Sequence, residues 1–222
     1  MNFRRIVKVS ICLAMLSVST GLWAQNESRW QNVDINQQNR EPRRASFFAY
    51  ESQDKAQGFD KKESANYLSM EGMWKFNFVK DHNKRPAKFF AVNYDDSKWK
   101  DFPVPGLFEL NGYGDATYKN VGYAWATQFD PNPPYISETN NYTGSYRRTF
   151  DLPTDWKGKD VYFHVGSATS NLTLWVNGKY VGYSEDSKVA AEFNISKYLK
   201  PGKNLIAMQV MRWCDGSYFE DQ

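Results

Sequence analysis

The chain has 222 residues, 41% hydrophobic and 17% aromatic, with 28 Lys+Arg against 25 Asp+Glu, two Cys and two His. That apolar content is enough for a core and excludes a wholly disordered chain, and so few cysteines and histidines exclude a disulfide scaffold or a zinc site built from several of them. The formal charge of +3 resides in Arg4, Arg5 and Lys8, so the rest of the chain is neutral and offers no electrostatic ground for binding nucleic acid.

Those three bases open a segment, residues 1–24, with an apolar run from Val9 to Val18 and a Leu22-Trp23-Ala24 ending. A charged start, a short apolar stretch and a small residue at the cut predict a signal peptide, and with it an exported protein, periplasmic or extracellular. The run is short against the ~20 apolar residues of a membrane span, so none is expected. Cys12 follows bulky Ile11, which argues against a lipoprotein cleavage site and leaves Cys214 as the only thiol of the mature chain.

Residues 25–62 are polar, rich in Asn, Gln, Arg and Ser, with isolated anchors at Trp30, Phe47, Phe48 and Tyr50. Such a stretch cannot bury a core of its own and predicts an extended arm laid across another surface. Strand patterns follow. Trp74, Phe76 and Phe78 alternate with Lys75 and Asn77, the period of a strand with one buried face. Residues 103–140 hold few strand signals but carry Gly106, Gly112, Gly114, Gly122, Pro131, Pro133 and Pro134; a loop this long predicts a surface that meets a ligand or another domain. Val161, Phe163 and Val165 alternate again, and Leu172, Leu174 and Val176 run into Asn177-Gly178 and then Tyr180 to Tyr183. Asn-Gly accepts the positive φ angles of a two-residue hairpin. Pro201-Gly202 precedes a last strand at residues 205–213, apolar at most positions as suits the middle of a two-layer packing. The sum is all-β: an antiparallel β-sandwich of jelly-roll type over residues 63–222, preceded by the arm.

The tryptophans at 74, 99, 125, 156, 175 and 213 suit a sugar, whose apolar C–H face packs on an aromatic ring, although core packing is the ordinary role for most of them. Of these, Trp74 reads as core, while Trp125 and Trp213 border the long loop and the C-terminal motif. The adjacent pairs Glu185-Asp186 and Glu220-Asp221 resemble a glycosidase couple only superficially. Neighbours on a strand point to opposite faces, and solvated loop charges are the ordinary reading, for Glu185 in particular. His82 and His164 lack the surroundings of a nucleophile motif, and His164 reads as a strand residue on the less buried face. Asn-x-Ser/Thr tripeptides at Asn26, Asn141, Asn171 and Asn194 are too common to carry an inference. Composition and spacing therefore reach an exported β-sandwich with a sugar-facing loop, and no catalytic machinery.

Whole strings go further. WQNVDINQQNREPRRASFFAY at residues 30–50, LSMEGMWKFNF at 68–78, VPGLFELNGYGDATYKNVGY at 104–123, the stretch 143–150, and LWVNGKYVGYSEDSK and RWCDGSYFEDQ within 174–222 occur in this order. Together they resemble the N-terminal part of the large β-galactosidases of glycoside hydrolase family two. The resemblance implies a galactose-binding-domain-like jelly roll preceded by an arm that lies over other domains. It also implies a retaining hydrolysis of terminal β-D-galactose in β-D-galactosides, whose two glutamates stand on a later (β/α)₈ barrel of about 250 residues that is not in this chain. No catalytic residue is therefore assigned here. Asn120 matches the family asparagine that hydrogen-bonds the sugar, and Asp215 the aspartate that contacts galactose hydroxyls and helps hold a sodium ion. The family's magnesium belongs to the barrel, and the complete enzyme is expected to be a homo-oligomer. Cys214 stands where serine is common, and Tyr123-Ala124-Trp125 where a Tyr-Pro-aromatic string is usual, which bears on preference beyond galactose. Alternatives are a stand-alone exported carbohydrate-binding module and a relative acting on β-glucuronides or β-mannosides.

Overall fold

The structure, a computed structural model, describes residues 29–117, 119 and 122–220. The expected signal peptide and Asn120 lie outside the described residues. The strands are β1 (Gln37–Gln38), β2 (Gly72–Val79), β3 (Lys100–Val104), β4 (Thr143–Leu152), β5 (Tyr162–Val165), β6 (Asn171–Val176), β7 (Lys179–Glu185), β8 (Ala191–Asn194) and β9 (Gly202–Met211), with one short helix, α1 (Gln53–Gly58). Seven strands form an antiparallel sheet in the order β1-β7-β6-β9-β4-β2-β3, and β5 pairs with β8 in a second sheet. This is the antiparallel sandwich of jelly-roll type that the strand pattern predicts.

Its core lies between the sheets. Trp74, Phe76, Tyr146, Leu172, Leu174, Val176, Ile206 and Met208 of the large sheet meet Phe163 and Phe193 of the small one. The register explains the selection. Leu172 stands opposite Val210, Leu174 opposite Met208 and Val176 opposite Ile206, so every second residue of β6 and β9 faces inward. Strand β9 sits between β6 and β4, where an apolar strand belongs. The hairpin falls where Asn-Gly predicts it: Asn177 and Gly178 have φ of 49° and 81° between β6 and β7.

Four strands, β1, β3, β4 and β8, carry no clear sequence signal, and two of them show why. β3 contains Pro103, tolerated because β3 is an edge strand whose free side needs no donor. In β4 the alternation is hidden by Arg147, which is buried. Its guanidinium is held by Asp96 at 2.7 Å and by the carbonyl oxygens of Phe89 and Ala91, so a charged residue occupies a covered position and pins the 86–99 segment to the sheet.

The opposite, outer face of the large sheet is covered by four segments: the 86–99 segment on Arg147 and Trp175, the arm, the long loop and the residues that follow β9. Trp30, Ile136, Tyr183, Met211, Trp213, Cys214 and Tyr218 form a second cluster there, with Trp125 and Phe129 against it. The arm docks along β7 through β1, where Gln37 stands opposite Ser184 and Gln38 opposite Tyr183. Gly182 makes this approach feasible: a Cβ there would lie 2.6 Å from the Gln38 carbonyl oxygen and from the Phe193 ring. Further on, Arg43 pairs with Asp186, and Arg44 with Glu192 at 2.8 Å.

Candidate functional site

The chain leaves β9 at Met211 and turns at Asp215–Tyr218, a single 3-10 turn seated on the outer face. Four sets of bonds fix it. Asn141 clamps its approach, its amide donating to the Trp213 carbonyl at 2.9 Å and accepting from the Trp213 N–H at 3.0 Å. Within the turn the Ser217 hydroxyl accepts from the Cys214 N–H at 3.1 Å. The Tyr218 hydroxyl donates to the Tyr135 carbonyl at 2.7 Å and accepts from the Asn132 N–H at 3.0 Å, which ties the turn to the long loop. Glu220 accepts from the Ser187 N–H at 3.0 Å and from its hydroxyl at 2.7 Å. Both Asn141 and Cys214 are completely buried, so these bonds form away from water, where losing one is costly.

Asp215 is the residue so positioned. It is 3% exposed, its Oδ1 accepts the Gly216 N–H at 2.9 Å, and its carboxyl group hydrogen-bonds that of Glu185. Beneath it lies Glu185, the last residue of β7. The sequence reading of Glu185 as a solvated loop charge is corrected here: it is 7% exposed and accepts the Tyr183 hydroxyl at 2.5 Å. Ligand atoms of Glu185, Cys214 and Asp215 all lie within 4.8 Å of one another. Burial raises the Glu185 carboxyl to about 8, raises Asp215 from the usual carboxylate range, and pushes the Cys214 thiol far up. Sequence reading paired Glu185 with Asp186 and missed this partnership, because only the fold brings β7 against the turn after β9.

The second carried-over residue, Asn120, lies outside the described residues. The segment before it is anchored to the residue that follows β9, since Arg212 donates to the Thr117 hydroxyl at 3.0 Å and to the Asp115 carbonyl at 3.4 Å. Beside the turn, Tyr123, Trp125 and Phe129 stack in series, with ring centroids 5.7 and 6.0 Å apart, and Trp125 meets the edge of Tyr218 at 5.1 Å. The buried Nε1 donors of Trp125 and Trp213 have no partner among the described residues. An open groove of ≈ 490 Å³ runs along the loop between Gln128, Asp130, Asn132, Tyr135 and Asn140. Trp74, at 1% exposure, is core as its alternation predicts. His164 is exposed on β5 and contacts Glu192 at 3.0 Å, apart from this site.

The chemical capacity of the arrangement is binding. Aromatic faces, amides and a rigid carboxylate are the groups that take a sugar's C–H face and hydroxyls. Glu185 and Asp215 are close enough to suggest a glycosidase couple, which needs about 5–5.5 Å. Glu185 is buried beneath the turn and hydrogen-bonds Asp215 directly, which leaves no room for a sugar ring between them.

Residues 67–222 match the family described as "Glycosyl hydrolases family 2, sugar binding domain". The chain therefore belongs to glycosyl hydrolases family 2 and contains that family's sugar-binding domain. It is similar to the beta-galactosidase of Priestia megaterium, 38% identical over 200 residues that make up 90% of this chain and 19% of that protein. Beta-galactosidase of Psychromonas ingrahamii is 36% identical over 193 residues, 87% of this chain and 18% of that one. A crystal structure of Ruminococcus gnavus beta-glucuronidase aligns with 64% of this chain and 21% of its own at 22% identity and a TM-score of 0.46. The chain spans about a fifth of the length of the curated relatives it matches.

Proposed function

We propose that this chain is the N-terminal portion of an exported, retaining β-galactosidase, that it forms one wall of the galactose pocket, and that the carboxyls that break the glycosidic bond stand on domains outside it. The observation that carries the reading is the similarity to beta-galactosidases over nine-tenths of the chain. It is supported by the placement of Asp215 on a turn fixed from four sides. In this reading Asp215 accepts hydrogen bonds from galactose hydroxyls, and Asn120 donates to and accepts from them through its amide.

A carboxylate is a fitting oxygen donor for a hard cation such as sodium. Bound sodium would supply a fixed positive charge beside the sugar, and Asp215 is the residue of this chain that would hold it. No residue here is proposed for magnesium. The Tyr123-Trp125-Phe129 stack would line the outer part of the pocket, where the leaving group's identity is read. The complete enzyme would be a homo-oligomer.

The test has two arms. The isolated chain should not hydrolyse nitrophenyl β-galactoside, and turnover abolished by Glu185→Gln would overturn the assignment of chemistry elsewhere. In the full-length enzyme, Asp215→Asn should weaken galactose binding and sodium dependence together by about tenfold or more; unchanged constants would remove Asp215 from the pocket.

A further inference from the structure

Beside the Asp215 turn, the open groove of ≈ 490 Å³ in the long loop has a volume within the range of small-molecule sites. Its shape is fixed by bonds along its length. Asn132 and Tyr135 form an antiparallel bridge, the Tyr135 N–H donating to the Asn132 carbonyl at 2.8 Å. The Ile136 N–H donates to Gln31 of the arm at 3.0 Å. The Asn140 amide donates to the Gln128 carbonyl at 3.1 Å, which joins the first and last residues of the lining. Tyr218 of the turn binds the Asn132 N–H and the Tyr135 carbonyl.

These bonds run largely through the backbone and leave side chains free to face a ligand. Among the described residues, no hydrogen bond or ion pair engages the Asp130 carboxylate, the Asn132 amide or the Tyr135 hydroxyl, and the Tyr135 ring is 59% exposed. A carboxylate that accepts, an amide that both donates and accepts, and an open aromatic face are together the complement of a sugar. The seat of another protein domain would be apolar at its centre and depleted of charge, whereas Gln128, Asp130, Asn132, Ser137, Thr139 and Asn140 make this lining polar. Its one charged side chain is acidic, and no Lys or Arg lines it. An anionic sugar therefore meets repulsion and finds no counter-charge. Phe129 gives the groove its direction. It lines the groove, closes the Tyr123-Trp125-Phe129 stack and meets Tyr218 edge-on at 6.1 Å, so the groove continues outward from the turn that carries Asp215.

We propose that this groove is a subsite for neutral oligosaccharide, holding the sugars that follow the cleaved galactose in an extended β-galactoside. Tyr135 stacks on one of those rings, and Asp130 and Asn132 take its hydroxyls. The groove is built before the ligand arrives, so little ordering is lost on binding. This inference rests on the galactosidase reading and names the substrate class of that enzyme: chains of three or more neutral sugars rather than a galactoside with a small aglycone.

The test uses the full-length enzyme, with β-linked galactotriose and nitrophenyl β-galactoside as substrates. Tyr135→Ala should lower kcat/KM for the trisaccharide relative to the nitrophenyl substrate by about three- to tenfold, the loss of one aromatic contact. Asp130→Asn should shift the same ratio in the same direction. Both side chains lie on the surface, so folding does not depend on them. An unchanged ratio in both variants would overturn the subsite. Access is read separately, by maleimide labelling of Tyr135→Cys against the unmodified enzyme as blank. Labelling that galactotriose slows is the expected result. A cysteine that does not label would mean that another domain covers the groove, and labelling indifferent to galactotriose would mean that no sugar enters it; either outcome overturns the proposal. Failure of the galactosidase reading looks different, since the unmodified enzyme would then turn over neither substrate.

Discussion

The two faces of the large sheet come from the same strands and are held by different physics. The inner face is apolar and complete in itself: Leu174 and Val176 are fully buried, and nothing but packing is asked of them. The outer face is covered by segments of irregular structure fixed by directional bonds, and it buries polar groups. Every strand residue described with an unpartnered buried side-chain atom, namely Asn77, Ser145 and Asn171, belongs to that face. Each such orphan costs on the order of 1–3 kcal/mol. A fold that keeps them on one face only has placed its apolar packing on one side and its buried polar groups on the other.

The largest test of this contrast is Leu174→Ala. Removing a fully buried side chain from the inner face should cost about 3–4 kcal/mol in urea unfolding, the usual range for a cavity of that size. Thr173→Ala, one residue away on the partly exposed outer face, should cost under about 0.5 kcal/mol. Equal losses at the two positions would erase the distinction.

Asn141→Ala probes the outer face in its own terms. The substitution removes both bonds to the Trp213 backbone and leaves a buried N–H and C=O unpaired, so about 2–3 kcal/mol should be lost. The loss should also be local, with amide exchange at residues 213–218 quickening more than in β6 or β9. Uniform quickening would mean that Asn141 supports the whole sheet rather than the turn.

What could be read from the chain follows the same division. The alternation of Trp74, Phe76 and Phe78, and of Leu172, Leu174 and Val176, is imposed by one apolar face and one wetter one, so it survives in the sequence. The Asn177-Gly178 turn is legible because its backbone angles suit few other residues. Arg147 hides β4, since a buried guanidinium satisfied by carbonyls looks like a surface charge until Asp96 and Phe89 are brought to it. Glu185 misleads for the same reason. Its burial depends on the turn at Asp215 closing over it, and no local pattern records that. Asp215 stands out only through whole-string resemblance, because an Asp before a Gly is otherwise an ordinary turn.

The smallest effect concerns His82, where the outer face closes. Its ring lies 5.0 Å from that of Trp30 in the arm, and its Nδ1 is 3.3 Å from the Thr143 hydroxyl of β4. Its backbone N–H donates to the Glu138 carbonyl of the long loop at 2.9 Å. Burial, with nearby Arg85, lowers its pKa to about 3 from an ordinary 6.5. Above pH 6.5 the imidazole is neutral folded and unfolded, and its burial carries no titration penalty. As pH falls below 6.5 the unfolded chain takes up a proton that the folded one refuses, so stability is lost from 6.5 down to about 3. By pH 5.5 the loss should be about 1.3 kcal/mol relative to pH 7.5. Glu185 acts with the opposite sign over part of this window: held near 8 by burial, it retains a proton there that the unfolded chain has given up. The readout is therefore the difference between the unmodified chain and His82→Asn, measured by urea unfolding at both pH values, in which the Glu185 contribution cancels. Parallel pH profiles for the two proteins would mean that water reaches His82 in the folded state. Arm, loop and β4 would then fail to close over it, and the outer face would be too loose to hold the Asp215 turn in one place.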